Sequence, residues 1–399
     1  MYSITSVFKK GLGPSSSHTI GPTIASKIFS RRYPERDASK VVLYGSLALT
    51  GKGHGTDKAI LSNMKEAEIV FDMEKTDLPH PNTMEFFAYK DNVEIGHDTI
   101  LSIGGGDIVV VGDGYIEKEV YKEKNFTEII NYCEKHNLTL TEYIYKMEGE
   151  EIKAELLKVW KIMKETIERG LNTEGLLPGD LNITRKAKML YNMKVEHEGI
   201  ASKEDRLISA YAFAVAEENA DGHYLVIAPT CGSAGVLPAV LYYLYHDRGY
   251  LESDIIDGLA VAGLIGNIIR TNASISGAEC GCQAEIGSAC SMTAAAKAQI
   301  NKLNLKQVEY AAEVAMEHHL GLTCDPVHGY VQIPCIERNA VAAMRAMNCV
   351  NLSRFLYETR KISFDDVIDT MYKTGKDINL KYKETSLGGL ASKYKKVSS

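Results

Sequence analysis

Long apolar runs are missing from this sequence of 399 residues. The longest, at 236–244 and 259–265, are far shorter than the roughly 20 apolar residues that a membrane-spanning helix needs. The first 30 residues also lack the uninterrupted apolar stretch of a secretory signal peptide. We therefore expect a cytoplasmic protein with no membrane partner.

Positive charge is not in excess either. The chain has 45 Lys and Arg residues against 52 Asp and Glu residues, a formal net charge of −7. No basic stripe stands out along the chain, so we expect no nucleic-acid partner. Fixed-period repeats and low-complexity linkers are also lacking. Hydrophobic residues at 45% and charged residues at 24% are ordinary for a globular protein, and the length favours two domains.

The first part of the chain has a mixed α/β pattern. A helix is predicted over 18–31 after a loop rich in Gly, Pro and Ser, and apolar or alternating runs predict strands over 41–50, 67–73, 93–103 and 108–111. Three consecutive glycines at 104–106 lack the Lys-Ser/Thr ending and the following helix of a phosphate loop, so they predict a tight turn.

After about residue 122 the pattern becomes helical. Apolar residues recur at spacings of three and four from Ile152 to Ile167, with Gly170 as the expected C-cap. Further along, apolar or Ala-rich stretches predict buried helices over 207–217, 236–245, 257–269, 292–300 and 308–320. We place the domain boundary near 120–145.

Eight cysteines are present, and seven of them lie between residues 231 and 349. Without an export signal the thiols should be reduced, because disulfides are rare inside cells. Clustered reduced thiols indicate metal or redox chemistry. Small buried core residues are the alternative, since free Cys is often buried. Clustering alone leaves both interpretations open.

Three thiols stand out by position: Cys282, Cys324 and Cys335. Two lie beside prolines that break helices, and Cys282 lies in a Gly-containing loop. Each iron of a four-iron cluster needs an outside ligand, so three thiolates leave one iron open. An open iron can act as a Lewis acid on a substrate carboxylate and hydroxyl. Paired C-x2-C units are absent, which argues against a zinc ribbon. On spacing alone, buried core thiols remain the alternative.

Nine longer motifs are more specific. They are GLGPSSSHT (11–19), YGSLALTGKGHGTD (44–57), NTEGLLPG (172–179), NASISGAE (272–279), GSACSM (287–292), MEHHLGLTCDPV (316–327), QIPCIERNA (332–340), MYKTGKD (371–377) and KYKETSLGGL (381–390). With these motifs in this order, the chain resembles the bacterial single-chain, iron–sulfur-dependent L-serine dehydratases from about Ser6 to about Leu390.

The resemblance implies an N-terminal α/β (α+β) domain with a small sheet, over 1–130, resting on an all-α domain over 145–399. By the same resemblance, Cys282, Cys324 and Cys335 hold a [4Fe-4S] cluster. The implied reaction is a lyase reaction that converts L-serine to pyruvate and ammonia by aconitase-like dehydration. A homodimer and a role in amino-acid catabolism and gluconeogenesis are family expectations.

A base must reach the α-proton of the substrate. The candidates are His18 and His54, because an imidazole can be neutral near pH 7 and the family directs both loops toward the cluster. The sequence does not decide between them. Taken alone, each is more often a hydrogen-bonded loop histidine than a catalyst.

Seven residues are candidates for substrate binding, each with a structural alternative. The serines at 15–17 are expected either to bind the carboxylate or to cap a helix, and one residue can do both. Lys52, which is flanked by glycines, is expected either to add positive charge for the carboxylate or to lie in solvent. Asn272, Ser274 and Ser276 are expected either to contact the substrate or the cluster or only to shape the loop. The candidates are Ser15, Ser16, Ser17, Lys52, Asn272, Ser274 and Ser276.

The chain departs from the family pattern at four places. Cys231 replaces the usual Asn, Cys280 the usual Gly, and His328 a Gly or Ala. Cys280 is expected to be a small side chain in the loop or a competing ligand, and the His328 imidazole to alter the pocket or to face solvent. No Cys follows Cys349, so the C-terminal thiolate that plugs the open iron in many members cannot be carried over. Cys231 is a candidate extra thiol at the cluster, or a residue that tunes specificity.

The remaining Cys and His residues of interest are expected to be structural. Cys133, Cys290 and Cys349 are assigned to core packing. Glu317, His318 and His319 precede Cys324, where a helix end or outer support of the cluster is favoured over zinc. Two other functions stay open: a related iron–sulfur lyase acting on threonine or cysteine, and a non-catalytic iron–sulfur sensor. No lysine motif of a pyridoxal-phosphate enzyme is evident.

Overall fold

The N-terminal part is built around one five-stranded sheet. The computed structural model describes residues 1–113 and 119–394. The elements in this part are β1 (Lys10–Leu12), α1 (Gly21–Arg32), β2 (Ala38–Tyr44), α2 (Ser46–Thr50), α3 (Thr56–Leu61), β3 (Ala67–Asp72), β4 (Thr83–Lys90), β5 (Val93–Gly104) and β6 (Asp107–Val110). The sheet order is β3-β2-β4-β5-β6, with β2 and β3 parallel and the other pairs antiparallel.

One face of this sheet is apolar. Val41, Phe86 and Ile100 are fully buried on it and pack in one cluster with Phe29 of α1. Burial of these side chains, at about 1.5–3 kcal/mol each, holds α1 against the sheet. The predicted mixed α/β character of this part is therefore confirmed.

The strand predicted over 41–50 is wrong in its second half. β2 ends at Tyr44, and Ser46–Thr50 forms α2. The chain reverses at Gly45, whose φ is +56°, where a Cβ would lie 2.3 Å from the Pro81 carbonyl oxygen. Only glycine tolerates this turn, and α2 then points Ser46 and Thr50 toward the site described below.

The glycines at 104–106 form the tight turn that the sequence predicts. They join antiparallel β5 and β6, and all three have positive φ, at +99°, +58° and +78°.

The rest of the chain is a helical body with one short strand. Its elements are α4 (Phe126–His136), α5 (Leu140–Glu148), α6 (Ile152–Asn172), α7 (Ala187–Asn192), α8 (Ile200–Ala220), β7 (Tyr224–Val226), α9 (Val236–Tyr242), α10 (Glu252–Asn272), α11 (Gly277–Cys280), α12 (Ser288–Ile300), α13 (Leu305–Glu317), α14 (Cys335–Leu356) and α15 (Phe364–Asp377). α12 is buried almost all round and lies among α9, α10, α13 and α14. Its small Ala and Ser side chains allow these helices to approach closely.

The predicted helices of this part exist, and one predicted helix end is wrong. α6 continues past Gly170 to Asn172. Gly170 is a contact point rather than a cap, because a Cβ there would lie 2.4 Å from the Ala214 carbonyl oxygen of α8.

The first dozen residues pack on the helical body. β1 pairs antiparallel with β7, so the body is not strictly all-α. Ile4 lies against Gly263 of α10, where an added Cβ would be 2.8 Å from the Ile4 Cβ. The boundary predicted near 120–145 stays a prediction. Among the described residues, none of the helices combines the length and the apolar character needed to cross a membrane.

The segment after α15, residues 378–394, is called the return segment below. It passes back over the Cys324 loop: the Cys324 amide donates to the Tyr382 carbonyl at 2.8 Å, and the Glu384 amide donates to the Cys324 carbonyl at 2.7 Å. The Leu390 amide donates to the Asp325 carboxylate at 2.7 Å. The return segment therefore covers the loop and meets the N-terminal part.

Candidate active site

The three candidate thiols lie at the ends of three separate elements. Cys282 precedes a π-helical turn at Gln283–Gly287, Cys324 lies in the loop after α13, and Cys335 is the first residue of α14. The sulfurs of Cys282 and Cys324 lie within 4.8 Å of each other and of a Glu285 carboxylate oxygen. The Glu285 oxygen is 3.8 Å from the Cys324 sulfur.

Arg338, one turn into α14, is the positive charge that all three thiols share. The Cys282, Cys335 and Cys324 thiols each raise the pKa of Arg338, which is also raised by Asp325. The pKa of Cys282 is held below its ordinary value by a hydrogen bond that the Cys324 thiol donates to it and by the positive charge of Arg338. A lowered thiol pKa favours the thiolate, which is the form that binds metal. The pKa values of the other two thiols are raised, that of Cys324 by its hydrogen bond to Cys282 and by burial, and that of Cys335 by burial.

This donor set fits an iron–sulfur cluster. The Cys282 and Cys324 thiols are buried and that of Cys335 is half-buried, and thiolates are the ligands that such clusters take. The wall opposite Cys324 is Gly277, where a Cβ would lie 3.1 Å from the Cys324 sulfur and 2.5 Å from a Glu285 oxygen. The sequence keeps this wall free of side-chain atoms. The thiol ligand set itself stays a prediction.

The two candidate bases lie side by side in the N-terminal part. The ring centroids of His18 and His54 are 4.4 Å apart, and both side chains are buried. His18 lies in a π-helical turn, Ser16–Ile20, before α1, and His54 lies in the loop between α2 and α3. Thr19 and Thr56 tie the two segments together, since their hydroxyls donate to the His54 and His18 carbonyls at 2.9 and 2.7 Å.

Hydrogen bonds fix which nitrogen of His18 carries the proton. Its Nε2 is 3.1 Å from Ser46 Oγ and 3.0 Å from Thr50 Oγ1. Ser46 Oγ donates its only hydrogen to the Glu384 carbonyl, and Thr50 Oγ1 donates to the Ser46 carbonyl. Both hydroxyls must therefore accept from His18, so Nε2 is protonated and Nδ1 has a lone pair.

The same reasoning applies to His54. Its Nδ1 is 3.0 Å from the Thr50 carbonyl oxygen, which can only accept, so Nδ1 carries the proton and Nε2 has a lone pair. Burial lowers the pKa of His54 to about 4 and also lowers the pKa of His18 well below its ordinary value. Both imidazoles are therefore neutral at pH 7.

Sequence reasoning missed a third member of this group, Glu384 of the return segment. Its Oε1 is 3.5 Å from His18 Nδ1 and 3.8 Å from His54 Nε2. The side chain is buried, and burial, with the Glu285 and Cys282 charges, raises its pKa well above the ordinary value. Glu384 lies in the KYKETSLGGL motif, which contributes to the family resemblance, but the sequence analysis assigns it no role. Only the return path of the chain shows that it belongs here.

The three predicted serines at 15–17 lie next to His18. Ser15 caps the turn, since its Oγ accepts from the His18 amide at 3.1 Å. Ser17 Oγ is 2.9 Å from His18 Nδ1, to which it can donate. Ser16 is buried beside them. Capping is thus observed for Ser15, whereas carboxylate binding stays a prediction for all three.

The four other predicted substrate contacts are dispersed. Lys52 is exposed, with Nζ 5.4 Å from the Phe71 ring centroid. The Asn272 amide donates to the Lys124 and Ile268 carbonyls at 2.7 and 2.9 Å, as a helix-end residue does. Neither has a hydrogen bond to the histidines or to the thiols among the described residues. Their substrate roles stay predictions.

Ser274 and Ser276 are buried in the segment that leads to Cys282. Ser274 Oγ accepts from the Ser276 amide at 3.1 Å, which shapes the turn before α11. Ser276 Oγ has no hydrogen-bond partner within the described part of the chain. Ser274 also lines a cavity of about 350 Å³ between this segment and the β5–β6 turn.

The departures from the family pattern lie at different depths. Cys231 is buried and packs with Ile20 and Ile227. Burial and the Glu285 carboxylate raise the pKa of its thiol, so it borders the thiol region. Cys280 is buried against Gly375 of α15, where a Cβ would be 2.6 Å from the Cys280 Cβ.

His328 is on the outside of the molecule. Its Nδ1 is 3.1 Å from an Asp180 oxygen, and its side chain is 43% exposed. Of the two outcomes expected for this residue, the structure shows the solvent-facing one. Residues 395–399, which belong to the C-terminal tail considered in the sequence, lie outside the described residues.

The Cys and His residues assigned to structural roles are accounted for. Cys133, Cys290 and Cys349 are buried in the main apolar cluster of the helical body. The Nδ1 atoms of His318 and His319 lie 2.8 and 2.7 Å from the Val314 and Ala315 carbonyl oxygens, so the pair ends α13.

Comparison with known proteins matches two families. The family described as serine dehydratase beta chain matches residues 3–68, and that described as serine dehydratase alpha chain matches residues 57–391. The chain is 40% identical to the L-serine dehydratase of Haemophilus influenzae and 40% identical to L-serine dehydratase 1 of Escherichia coli, in both cases over 98% of this chain and 99% of the relative. It is 38% identical to the L-serine dehydratase of Helicobacter pylori strain 26695, over 99% of each.

Proposed function

The chain belongs to the L-serine dehydratase family and is a lyase, and from this premise we propose that it converts L-serine to pyruvate and ammonia with a [4Fe-4S] cluster held by Cys282, Cys324 and Cys335. The observation that carries the cluster assignment is that the buried Cys282 and Cys324 sulfurs, which come from two separate loops, lie within 4.8 Å of each other. When bound, such a cluster supplies a Lewis-acidic iron that polarises the β-hydroxyl of the substrate.

His54 is the proposed general base. Both imidazoles have a lone pair facing the site, but His18 Nδ1 already accepts the Ser17 hydroxyl at 2.9 Å. Among the described residues, His54 Nε2 has no hydrogen-bond donor, and the Glu384 carboxyl oxygen lies 3.8 Å from it. A base must have a free lone pair within reach of the proton that it takes. His18 then holds Ser17 and α2 in place as a positioning residue.

The reaction balances with this base. His54 Nε2 takes the α-proton, the electrons of the Cα–H bond form the Cα–Cβ double bond, and the Cβ–O bond breaks; the departing hydroxide and one proton, equal to the proton removed from Cα, make the water that is lost. The enamine then moves a proton from its nitrogen to Cβ and becomes the imine. Water then hydrolyses the imine to pyruvate and ammonia without a further residue.

The proton on His54 Nδ1 is kept in place by the Thr50 carbonyl. This contact fixes the tautomer in which Nε2 is the base, as the partner of a catalytic imidazole does in other enzymes. Thr50 also accepts from His18, so one residue of α2 sets both rings.

Further proposals follow from the family and from the composition. We place the protein in the cytoplasm, as a homodimer, with L-serine as a small-molecule substrate and with no nucleic-acid or membrane partner. The support is the family resemblance, the net charge of −7, and the absence of a membrane-length apolar helix among the described residues.

The test is anaerobic. Purified protein is reconstituted with iron and sulfide, its cluster is measured by absorbance and iron content, and pyruvate is assayed with L-serine. Pyruvate formation that is lost in air supports the proposal. A full cluster with no pyruvate from L-serine contradicts it, and threonine and cysteine are then assayed as substrates.

The matched variants separate the cluster from the base. Cys335→Ser is expected to lower iron content and activity together. His54→Asn is expected to keep the iron content and to lower kcat by a factor of about 100 or more, the usual contribution of a general base. Normal turnover in His54→Asn would show that another group takes the α-proton.

A further inference from the structure

Arg338 joins two of the segments that carry the candidate thiols. It lies one helical turn after Cys335, the first residue of α14, so the two side chains share one face of the helix. Its guanidinium donates to the Thr323 carbonyl at 2.7 Å and to the Asp325 carboxylate at 3.0 Å. Thr323 and Asp325 are the two neighbours of Cys324 in the chain. One side chain of α14 therefore holds the Cys324 loop on both sides of its thiol residue.

All the acceptor positions of the Asp325 carboxylate that face the protein are used. The side chain is only 2% exposed. Its Oδ1 accepts from Arg338 at 3.0 Å and from the Thr323 hydroxyl at 3.2 Å, and its Oδ2 accepts from the Leu390 amide at 2.7 Å. A buried carboxylate costs free energy unless donors pair it, and three donors meet this one. The carboxylate therefore links the Cys324 loop to α14 and to the return segment.

The return segment completes this frame around Cys324. Both backbone groups of Cys324 are paired, the amide with the Tyr382 carbonyl at 2.8 Å and the carbonyl with the Glu384 amide at 2.7 Å. Gly389 has a φ of +60°, and a Cβ there would lie 2.2 Å from an Asp325 carboxylate oxygen. Only glycine fits this position. The end of the KYKETSLGGL motif is thus shaped to let the backbone reach the Asp325 carboxylate.

We propose that Arg338 is a positioning residue, which holds the Cys324 loop against the start of α14 so that the Cys324 and Cys335 thiols can bind one cluster. This inference rests on the proposed function, because it concerns ligands of the proposed cluster. Arginine suits the task because its planar guanidinium presents several donors in a fixed fork, which reaches a carbonyl and a carboxylate at once. The compact ammonium group of lysine does not reproduce that fork.

The fork acts on metal binding by fixing a ligand in advance. Ordering a loop costs conformational entropy, and the hydrogen bonds of Arg338 and Asp325 order this loop before iron arrives. Residues that orient metal ligands without binding the metal commonly change its affinity 10–100-fold when they are replaced. A looser Cys324 loop should therefore release the cluster faster.

The experiment measures retention of the cluster rather than turnover. Wild type, Arg338→Lys and Asp325→Asn are reconstituted anaerobically with iron and sulfide and mixed with an iron chelator, and the loss of cluster absorbance is followed. We expect loss to be about tenfold or more faster in Arg338→Lys, although the positive charge is kept. Asp325→Asn should also lose its cluster several times faster, because it removes the charged acceptor of the same hydrogen bond.

The matched control is Arg206→Lys in α8. Arg206 forms the same kind of fork, to the Glu198 carboxylate at 2.6 and 2.8 Å and to the Leu190 carbonyl at 2.9 Å, and its side chain is 13% exposed against 16% for Arg338. Its partners lie around α7 rather than beside a candidate thiol, so Arg206→Lys should lose its cluster within about twofold of the wild-type rate.

A double variant tests whether Arg338 and Asp325 act as one unit. Effects of independent changes multiply in the rate, whereas residues that share one bond are not additive. The variant with both Arg338→Lys and Asp325→Asn should therefore lose its cluster no more than about twofold faster than the single variant with the larger effect. A fully multiplied rate would contradict the shared role.

Loss at the wild-type rate in Arg338→Lys would overturn the inference, because the fork would then be unnecessary. Equal acceleration in Arg206→Lys would also overturn it, since a general loss of stability would explain both. If Arg338→Lys does not fold, Asp325→Asn against Arg206→Lys decides in the same way. A wild type that takes up no iron contradicts the proposed function, and the inference falls with it. A wild type with a full cluster but no pyruvate contradicts only the reaction and leaves the role of Arg338 standing.

Discussion

Glutamine in place of Glu313 should stabilise the protein, and more so at higher pH. Glu313 lies on α13 and is only 3% exposed. Burial and the neighbouring Glu317 carboxylate raise its pKa from 4.5 to about 8. Its Oε2 has no hydrogen-bond partner within the described part of the chain. Arg360, the nearby cation, is already paired with Glu309 at 2.6 Å.

The direction follows from proton binding. Between pH 4.5 and about 8 the folded chain keeps a proton on Glu313 that the unfolded chain releases, so this residue makes folding less favourable as the pH rises through that window. Each pH unit costs about 1.4 kcal/mol of the free energy of unfolding. Glutamine cannot ionise, so Glu313→Gln removes the cost.

The size of the effect can be worked out. Between pH 6 and pH 8 the difference in unfolding free energy between variant and wild type should grow by about 2 kcal/mol. The growth slows near pH 8, because Glu313 of the folded chain is then half ionised. With an unfolding entropy of about 2.1 cal/mol/K per residue, this difference shifts the Tm of a chain of 399 residues by about 2 °C.

The assay is thermal unfolding of cluster-loaded wild type and variant, recorded anaerobically at pH 6, 7 and 8. Other titrating groups are common to both proteins and cancel in the difference. The exposed Glu165→Gln on α6 is the control and should show no trend. A Tm difference for Glu313→Gln that is flat or shrinks with pH would refute the reasoning.

Three further changes test the site. In Gly277→Ala the new Cβ would lie 3.1 Å from the Cys324 sulfur, so iron content after reconstitution should fall well below that of the wild type; full iron with normal activity would contradict the fit of the cluster to this wall. Asp325→Asn weakens the bond from the Leu390 amide, so the return segment should be cut by protease several times faster, and an unchanged cleavage rate counts against that anchor. Cys231→Ser should keep its full iron content, because Cys231 packs with aliphatic side chains; a loss of iron would show that its thiol is a ligand.

Much of the candidate site could be predicted from the sequence because its parts are local motifs. Cys282, Cys324 and Cys335 each stand beside a residue that breaks or begins a helix, and the structure brings the Cys282 and Cys324 sulfurs within 4.8 Å of each other. The helix predicted over 18–31 begins at His18, and the structure places His18 in the helical turn directly before α1. Such features depend on a few neighbouring residues and can be read in order along the chain.

Some local predictions failed where a distant group decided the outcome. The strand predicted over 41–50 turns at Gly45 because the Pro81 carbonyl lies against it. Gly170 stays inside α6 because the α8 backbone packs there. Neither contact is visible in the hydrophobic periodicity of the segment concerned.

By itself, the sequence determined the reaction class, the helical pattern of the second part, and the identity of the candidate thiols and bases. Only the tertiary structure decided that Glu384 lies beside His18 and His54, although more than 300 residues of sequence separate it from them. The structure also decided which nitrogen of each ring carries the proton. The physical reason is that periodicity and motifs report local backbone conformation and burial. The convergence of distant side chains depends on the return segment, whose place is fixed by hydrogen bonds to the Cys324 loop.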